Sequence, residues 1–124
     1  ARRIRKMLGG GMRQTGLLAA AGLHALDQHI DRIAEDHRRA RMIAEKFDAM
    51  EGVSVDLGNV QTNVIFAMLD DHVRLDGMGE FMSERGIVII PEREMRLITH
   101  LDHDDDDCHR LVDAMAEWIR TCAG

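Results

Sequence analysis

Tyrosine is absent from this 124-residue sequence, and proline occurs once. Three phenylalanines and one tryptophan are the other aromatic residues, so aliphatic side chains and nine methionines must fill the core. Hydrophobic residues make up 45% and charged residues 31% of the chain, which is typical of a folded globular protein rather than a disordered one. A chain of this length supports one core and not two independent ones.

Long apolar runs are also missing. None approaches the ~20 residues needed to cross a bilayer. The N-terminus lacks the apolar stretch and cleavage site of a signal peptide. We therefore expect a cytoplasmic protein that makes no membrane contact.

Cysteine is scarce, with Cys108 and Cys122 as its two copies. If both lie on one terminal helix, they are about 21 Å apart along its axis. That separation is far beyond the reach of a disulfide. Both are therefore expected to be reduced, buried thiols.

Acidic residues are absent from the first 16 positions, although the whole chain carries a net charge of −6. This segment has five cationic side chains, so subtracting its +5 from −6 leaves −11 for the remainder. Nucleic acid is a poor fit as a partner, because the remainder is acidic and stacking aromatics are lacking. The positive charge is therefore concentrated in the first 16 residues.

Three consecutive glycines, Gly9, Gly10 and Gly11, lie between Lys6 and Arg13. Each glycine would cost about 1 kcal/mol inside a helix, but glycine lets the backbone approach a ligand closely. Backbone amides and cationic side chains together suit an anion. The segment lacks the Lys-Ser or Lys-Thr ending of a Walker loop. It is predicted to face a different kind of anionic group.

Residues 12–26 are apolar or small almost all round, which predicts a helix buried on several sides. A short chain offers few surfaces for it, so a partner subunit or a further domain is expected. A second helix is predicted from Asp27, as its N-cap, to Met50. Its outer face, with Glu35 and Arg39 as an i,i+4 pair beside Asp36, is expected to be solvated.

The pattern changes to short strands after Gly52. A helix over 75–86 should end at Gly86 in the left-handed conformation, and a closing helix should start at Asp104. The predicted fold class is α/β of the α+β type, a small, mainly antiparallel sheet covered by helices. Strands are predicted at 53–57, 62–69, 86–90 and 95–101, and the second, apolar on both faces, should be central.

Acidic residues at 102–107 alternate as in a calcium-binding loop. Such a loop needs Gly at its sixth position and Glu at its twelfth, where Asp107 and Asp113 stand here. Acids favoured by a helix dipole are the better interpretation. The spacing of His100, His103 and Cys108 matches no structural zinc pattern, so no metal site is predicted.

Two further candidates depend on the spacing of their residues. Cys108 and His109 form a weak nucleophilic pair, since adjacent helical residues point about 100° apart. Arg96 lies inside the apolar stretch MRLITHL, where an unpaired buried cation is costly. It should either meet a carboxylate or reach solvent from a strand end, and the spacing favours neither.

Four stretches together resemble one family. They are RRIRKMLGGGMRQTGLLAAAGLHAL, IAEDHRRARMIAE (33–45), QTNVIF (61–66) and RLITHLD (96–102). They are similar to the C-terminal portion of low-specificity L-threonine aldolases, over essentially the whole chain. The resemblance implies the small C-terminal domain of a fold-type I pyridoxal-phosphate enzyme. Residues 1–27 would be a strap and helix arriving from an absent large cofactor-binding domain, and 28–124 the small domain.

The resemblance also implies a function for the complete protein. Such enzymes cleave L-threonine and L-allo-threonine to glycine and acetaldehyde, with pyridoxal 5'-phosphate as the electron sink. By the same likeness, Arg96 binds the substrate carboxylate, a role suited to its bidentate fork. By the resemblance, the cofactor phosphate would lie near Lys6, Arg13 and the glycines Gly9, Gly10 and Gly11, in the site of the neighbouring subunit of a homodimer or homotetramer.

The family's cofactor lysine lies upstream of the region that this chain resembles. Lys6 aligns with a different lysine, and Lys46 belongs to the solvated face of a helix. The chain alone is therefore expected to be inactive and to supply no catalytic residue. Two alternatives stay open: a noncatalytic domain that dimerises through 12–26, and the small domain of another amino-acid lyase acting on phenylserine or hydroxyaspartate.

Overall fold

The computed structural model describes residues 1–122, which divide into two compact units, Ala1–Ile33 and the part from Ala34 onward. The first unit contains helices α1 (Arg2–Met7) and α2 (Gly16–Gln28). Neither helix has a buried residue, although α2 is apolar or small at most positions. The expectation that α2 packs against a surface outside this chain stays a prediction.

The second unit is a three-stranded antiparallel sheet with helices. Its strands lie in the order β1-β2-β3, so β2 is central as predicted. The fold class inferred from the sequence, a small α/β domain, is confirmed. The elements are α3 (Ile33–Asp48), β1 (Val53–Val55), β2 (Val64–Leu69), α4 (Met78–Ser83), β3 (Glu94–Ile98) and α5 (Asp105–Cys122).

A single core lies on one face of this sheet. Alternate residues of β2 are buried, as expected for a strand with one covered face. Helices α3, α4 and α5 each contribute side chains to the same cluster. The large, fully buried members are Phe47, Ile65, Met78, Met82, Met115 and Val73.

The strand predicted at 86–90 is wrong. The segment is extended, with Val88 and Ile90 exposed by 93% and 79%, but it pairs with no strand in the described part of the chain. The amide of Ile87 instead donates to the carbonyl of Met82, and Pro91 lies against Gly79. Both ends are thus attached to α4, which holds the segment beside that helix rather than in the sheet.

The prediction that the second helix begins at Asp27 is also wrong. Asp27 lies inside α2, whose end is marked by the amide of His29 donating to Ala25. Turns at 29–32 then separate α2 from α3. A side-chain cap is worth about 1 kcal/mol. The backbone hydrogen bonds that continue α2 through Gln28 take its place, so Asp27 caps no helix.

The charged face of α3 differs from the expected one. Glu35 pairs with Arg38 rather than with Arg39, and Arg39 instead bonds Asp105 of α5. Asp36 is buried rather than solvated. The reason is tertiary, because the start of α3 lies against α5 and against the end of β3.

The later helices follow the prediction. Met78 and Met82 of α4 point into the core, and Gly86 after that helix has the predicted left-handed conformation, with φ +73°. Both cysteines are free thiols, as expected. Cys108 is buried as predicted, whereas Cys122 in the last turn of α5 is half-buried. Across residues 1–122, every helix is too short or too polar to traverse a bilayer.

Candidate functional site

Within the second unit, the other face of the sheet is open to solvent. Phe66, Met68 and Ile98 are exposed there by 52%, 45% and 42%. β2 is thus apolar on both faces and central, as predicted, but Phe66 and Met68 on this face are exposed. The helices of the second unit place their buried side chains in the core on the opposite face, which leaves this one without a cover.

Arg96 stands on the open face, in the middle of β3 and directly opposite Phe66 of β2. Within residues 1–122 its guanidinium has no hydrogen-bonding or ionic partner, and the residue is exposed. The two alternatives from the sequence were a carboxylate partner and a side chain that reaches solvent from a strand end. Arg96 has no carboxylate partner among residues 1–122, and it reaches solvent, but from the middle of the strand. An arginine on a paired strand is a cation at a fixed place, available to an anion.

A cleft of ≈ 640 Å³ borders this arginine. It is lined by β3, by residues 86–90 and by the first half of α5. Arg110 and Asp107, on the α5 wall, contact each other, so their charges balance. A backbone hydrogen bond from Asp104, with Arg110 nearby, lowers the pKa of Asp107 and keeps it ionised. Arg96 is therefore the cleft-lining arginine whose charge is not matched by a bonded carboxylate.

The glycine block has a local structural role. Gly9 has φ +84°, its amide donates to the Lys6 carbonyl at 3.3 Å, and the Gly10 amide donates to the Arg5 carbonyl at 2.8 Å. This pair of bonds is the Schellman motif that ends a helix. A Cβ at Gly10 would lie 2.9 Å from Cγ of Arg5. Two of the three glycines thus terminate α1, and their amides are engaged within the chain.

Lys6 and Gly11 are brought together, because a Cβ at Gly11 would lie 3.1 Å from Cγ of Lys6. Arg13 was expected just inside the next helix, but it lies in the loop before α2, which begins at Gly16. Both cations are exposed and unpaired among the described residues. The predicted phosphate contact stays a prediction, to which Gly11 and these two side chains are free to contribute.

The acidic run caps α5 and ties it to α3. The Asp107 amide donates to the Asp104 carboxylate at 2.8 Å, and the Asp104 amide donates to the Asp107 carboxylate at 3.2 Å, a reciprocal capping box. Asp105 accepts hydrogen bonds from Arg38 and Arg39, at 2.7 Å from each. These bonds, that from Arg39 above all, lower the pKa of Asp105.

The remaining candidates, His100, His103 and Cys108, also have local structural roles. The rings of His100 and His103 stack with centroids 3.9 Å apart, and His100 Nδ1 accepts from the Asp102 amide. Burial raises the pKa of the Cys108 thiol, which disfavours a reactive thiolate. Over residues 1–122, no three side chains of ligating type converge on a point where a metal ion could bind.

Sequence reasoning assigned no role to Asn63 or Thr99. Each bonds the other where β3 ends, and Thr99 also bonds α3. Their occurrence in the stretches QTNVIF and RLITHLD was the available signal. A pairing so distant along the chain is invisible before the fold is known.

The sequence model of the beta-eliminating lyase family matches residues 1–70, which is more than half of the chain. The chain belongs to this family. It is 36% identical to "Low-specificity L-threonine aldolase 1" of Arabidopsis thaliana over 98% of its length, and 37% identical to "Low specificity L-threonine aldolase" of Escherichia coli K12 over 94%. These alignments cover 35% and 33% of the two relatives, so the chain spans about a third of the curated relatives it matches. The resemblance inferred from the sequence is confirmed.

Proposed function

We propose that this chain is the small-domain part of a pyridoxal-phosphate-dependent threonine aldolase. The complete protein would cleave L-threonine and L-allo-threonine to glycine and acetaldehyde. Family membership and the names of the relatives support the reaction class. The observation that carries the proposal is Arg96, an exposed cation without a bonded carboxylate at the wall of a cleft.

Arg96 would bind the α-carboxylate of the amino acid. Its guanidinium presents parallel N–H donors that match two carboxylate oxygens. The β-sheet fixes the backbone from which the side chain extends, since Arg96 is paired with Phe66 on the central strand. Binding and orienting the substrate are the contributions expected of this residue.

Lys6 and Arg13 would face the cofactor phosphate. Their exposure and the absence of partners among residues 1–122 fit a doubly charged anion, as does the close backbone at Gly11. When bound, pyridoxal phosphate supplies an electron sink for breaking the Cα–Cβ bond. Lys46 is exposed on α3, and Lys6 packs its stem against Gly11, so neither is assigned the covalent attachment. The chain alone is expected to be inactive.

The rest of the site would come from outside this chain. Residues 1–27 would form the strap from a large domain, with residues 28–124 as the small domain, and the complete protein would be a homodimer or homotetramer. The exposed leucines of α2 support this arrangement, because an apolar helix without a buried residue calls for a covering surface.

Substitution of Arg96 in the complete protein tests the substrate assignment. Arg96→Ala should raise the KM for L-threonine about thirtyfold, because a charge-assisted contact is lost. Arg41→Ala is the matched control, since Arg41 is an exposed arginine engaged by Glu45. Unchanged threonine kinetics in Arg96→Ala would reject the role. Measuring kcat/KM of the complete wild-type protein for L-threonine, phenylserine and hydroxyaspartate identifies the preferred substrate.

Cofactor retention tests the phosphate assignment separately. The Lys6→Ala/Arg13→Ala protein should lose pyridoxal phosphate on dialysis faster than the wild type. Arg2→Ala/Arg3→Ala removes the same charge from α1 and serves as the control. Equal retention in the two double variants would show that the location of the cations is irrelevant.

A noncatalytic dimerising domain is the second candidate. The exposure of α2 favours it over a monomeric role. Size-exclusion chromatography with light scattering, run with and without Leu23→Glu, measures self-association through that helix. An absorbance scan with pyridoxal phosphate followed by borohydride then separates the candidates. A covalent adduct on Lys6 or Lys46 would contradict the assignment of the attachment to another region.

A further inference from the structure

A buried polar contact closes the end of β3 nearest to Arg96. Thr99, which follows the strand, is 2% exposed, and its hydroxyl donates to the backbone carbonyl of Asp36 at 2.7 Å. Buried hydroxyl groups are almost always hydrogen-bonded, because leaving one unpaired is costly. This bond connects the strand end to the first turn of α3.

Asn63, the residue before β2, also bonds Thr99. The Thr99 amide donates to the Asn63 carbonyl at 3.0 Å, and the Asn63 side-chain amide donates to the Thr99 carbonyl at 2.7 Å. The side chain therefore supplies a donor that the backbone supplies in a regular antiparallel pair. The ladder continues one pair beyond Val64 and Ile98.

The two contacts act along different directions. Asn63 holds Thr99 in the plane of the sheet, and the Asp36 carbonyl holds it from the covered face. β3 is a strand of 5 residues at the edge of the sheet, paired on one side by β2. A slip of one residue would turn Arg96 from the open face to the core. Fixing Thr99 therefore fixes which face Arg96 presents.

We propose that Asn63 and Thr99 are positioning residues that hold Arg96 at the carboxylate of the substrate. This inference rests on the proposed function of Arg96. The two side chains act through the register and the end of β3, without contacting the substrate. Their removal should weaken carboxylate binding because Arg96 samples more positions, even where the domain stays folded.

A double-mutant cycle in the complete, cofactor-loaded protein tests the proposal. Thr99→Val keeps the side-chain shape and removes the hydroxyl donor, and Asn63→Ala removes the side-chain amide. Each should raise the KM for L-threonine about tenfold with little change in kcat, and Thr99→Ser should restore binding to within about twofold. In the Arg96→Ala background neither change should raise KM further, because they act through that arginine.

Gln61→Ala is the matched control. Gln61 lies in the same stretch as Asn63, and its amide bonds the nearby Gly58 carbonyl. The KM of the Gln61→Ala protein for L-threonine should equal that of the wild type. Hydrogen exchange in the chain itself gives a readout besides activity: the Thr99 and Leu97 amides should exchange about tenfold faster in both variants, with Trp118 fluorescence reporting a folded core.

The outcomes separate the two proposals. Normal KM in Arg96→Ala would reject the carboxylate role and the positioning role with it. Raised KM in Arg96→Ala with wild-type KM in Thr99→Val and Asn63→Ala would overturn the positioning proposal alone. An equal rise in KM in both Arg96 backgrounds would also overturn it, because it would show a general structural effect. If Thr99→Val fails to fold, the Asn63→Ala cycle decides, since Asn63 is half-buried.

Discussion

Helices α2 and α3 are consecutive in the chain and opposite in character. α2, GLLAAAGLHALDQ, is mostly apolar or small and has no buried residue. α3, IAEDHRRARMIAEKFD, is rich in charge and buries five residues, Asp36, Ala40, Ile43, Ala44 and Phe47. Apolar content alone therefore does not decide which helix joins the core of this chain.

The arrangement of the apolar residues explains the difference. In α3 they recur on one stripe, which matches a sheet on one side and water on the other. In α2 they surround the helix, and no single face of a small domain satisfies that pattern. α3 is thus built for the core observed here, whereas α2 is built for a more enclosed environment.

The largest expected effect compares one buried side chain from α3 with one from α2. Phe47→Ala should lower the free energy of unfolding of the chain by about 3–5 kcal/mol, because Phe47 is fully buried. Leu23→Ala, at a position 62% exposed, should change it by less than about 0.5 kcal/mol. Urea unfolding followed by Trp118 fluorescence measures both. A similar loss in the two variants would contradict the comparison.

The same contrast shows how much of the fold was predictable. The stripe of α3, the central position of β2 and the left-handed Gly86 all follow from local pattern and conformational preference. The segment 86–90 has the same apolar content as a strand, but whether it pairs depends on where α4 holds its two ends. The periodicity of the sequence carries no information on where α4 places those two ends.

A second prediction compares two glycines. Gly52 has φ +82°, and a Cβ there would lie 2.6 Å from Nε2 of His72 and 2.9 Å from Cγ2 of Val73. Gly52→Ala should therefore destabilise the second unit by about 1–3 kcal/mol. Gly22 in α2 has nothing within 4 Å of a Cβ, so Gly22→Ala should stabilise that helix by about 1 kcal/mol.

Circular dichroism and amide hydrogen exchange resolve the two effects. Slower exchange over residues 16–28 is expected in Gly22→Ala, with Trp118 unfolding unchanged. In the complete protein the sign at Gly22 should reverse if a covering surface approaches the helix closely. A stabilised Gly52→Ala protein would contradict the strain inferred at that turn.

The candidate site was predictable to a smaller extent than the fold. Arg96 was found because a cation in an apolar stretch breaks a local pattern, and the glycine block because its composition is unusual. The capping role of Gly9 and the bond between Asn63 and Thr99 depend on the conformation of one helix end and on a pairing across the sheet. Such contacts arise only when distant segments meet.

The smallest expected effect concerns the charge contact between α3 and α5. Arg39 and Arg38 bond the Asp105 carboxylate and lower its pKa. A carboxylate with a lowered pKa stabilises the fold above its unfolded pKa of about 4, and this stabilisation is lost as the pH falls through the folded pKa. Asp105→Asn should therefore be less stable than the wild type at pH 7, and the difference should shrink below about pH 4.

Asp106→Asn, which removes an exposed charge from the same helical turn, should show no such pH-dependent difference. Urea midpoints from pH 7 to pH 3 measure both, and a pH-independent deficit in Asp105→Asn would mean that packing, rather than its ion pairs, joins the two helices.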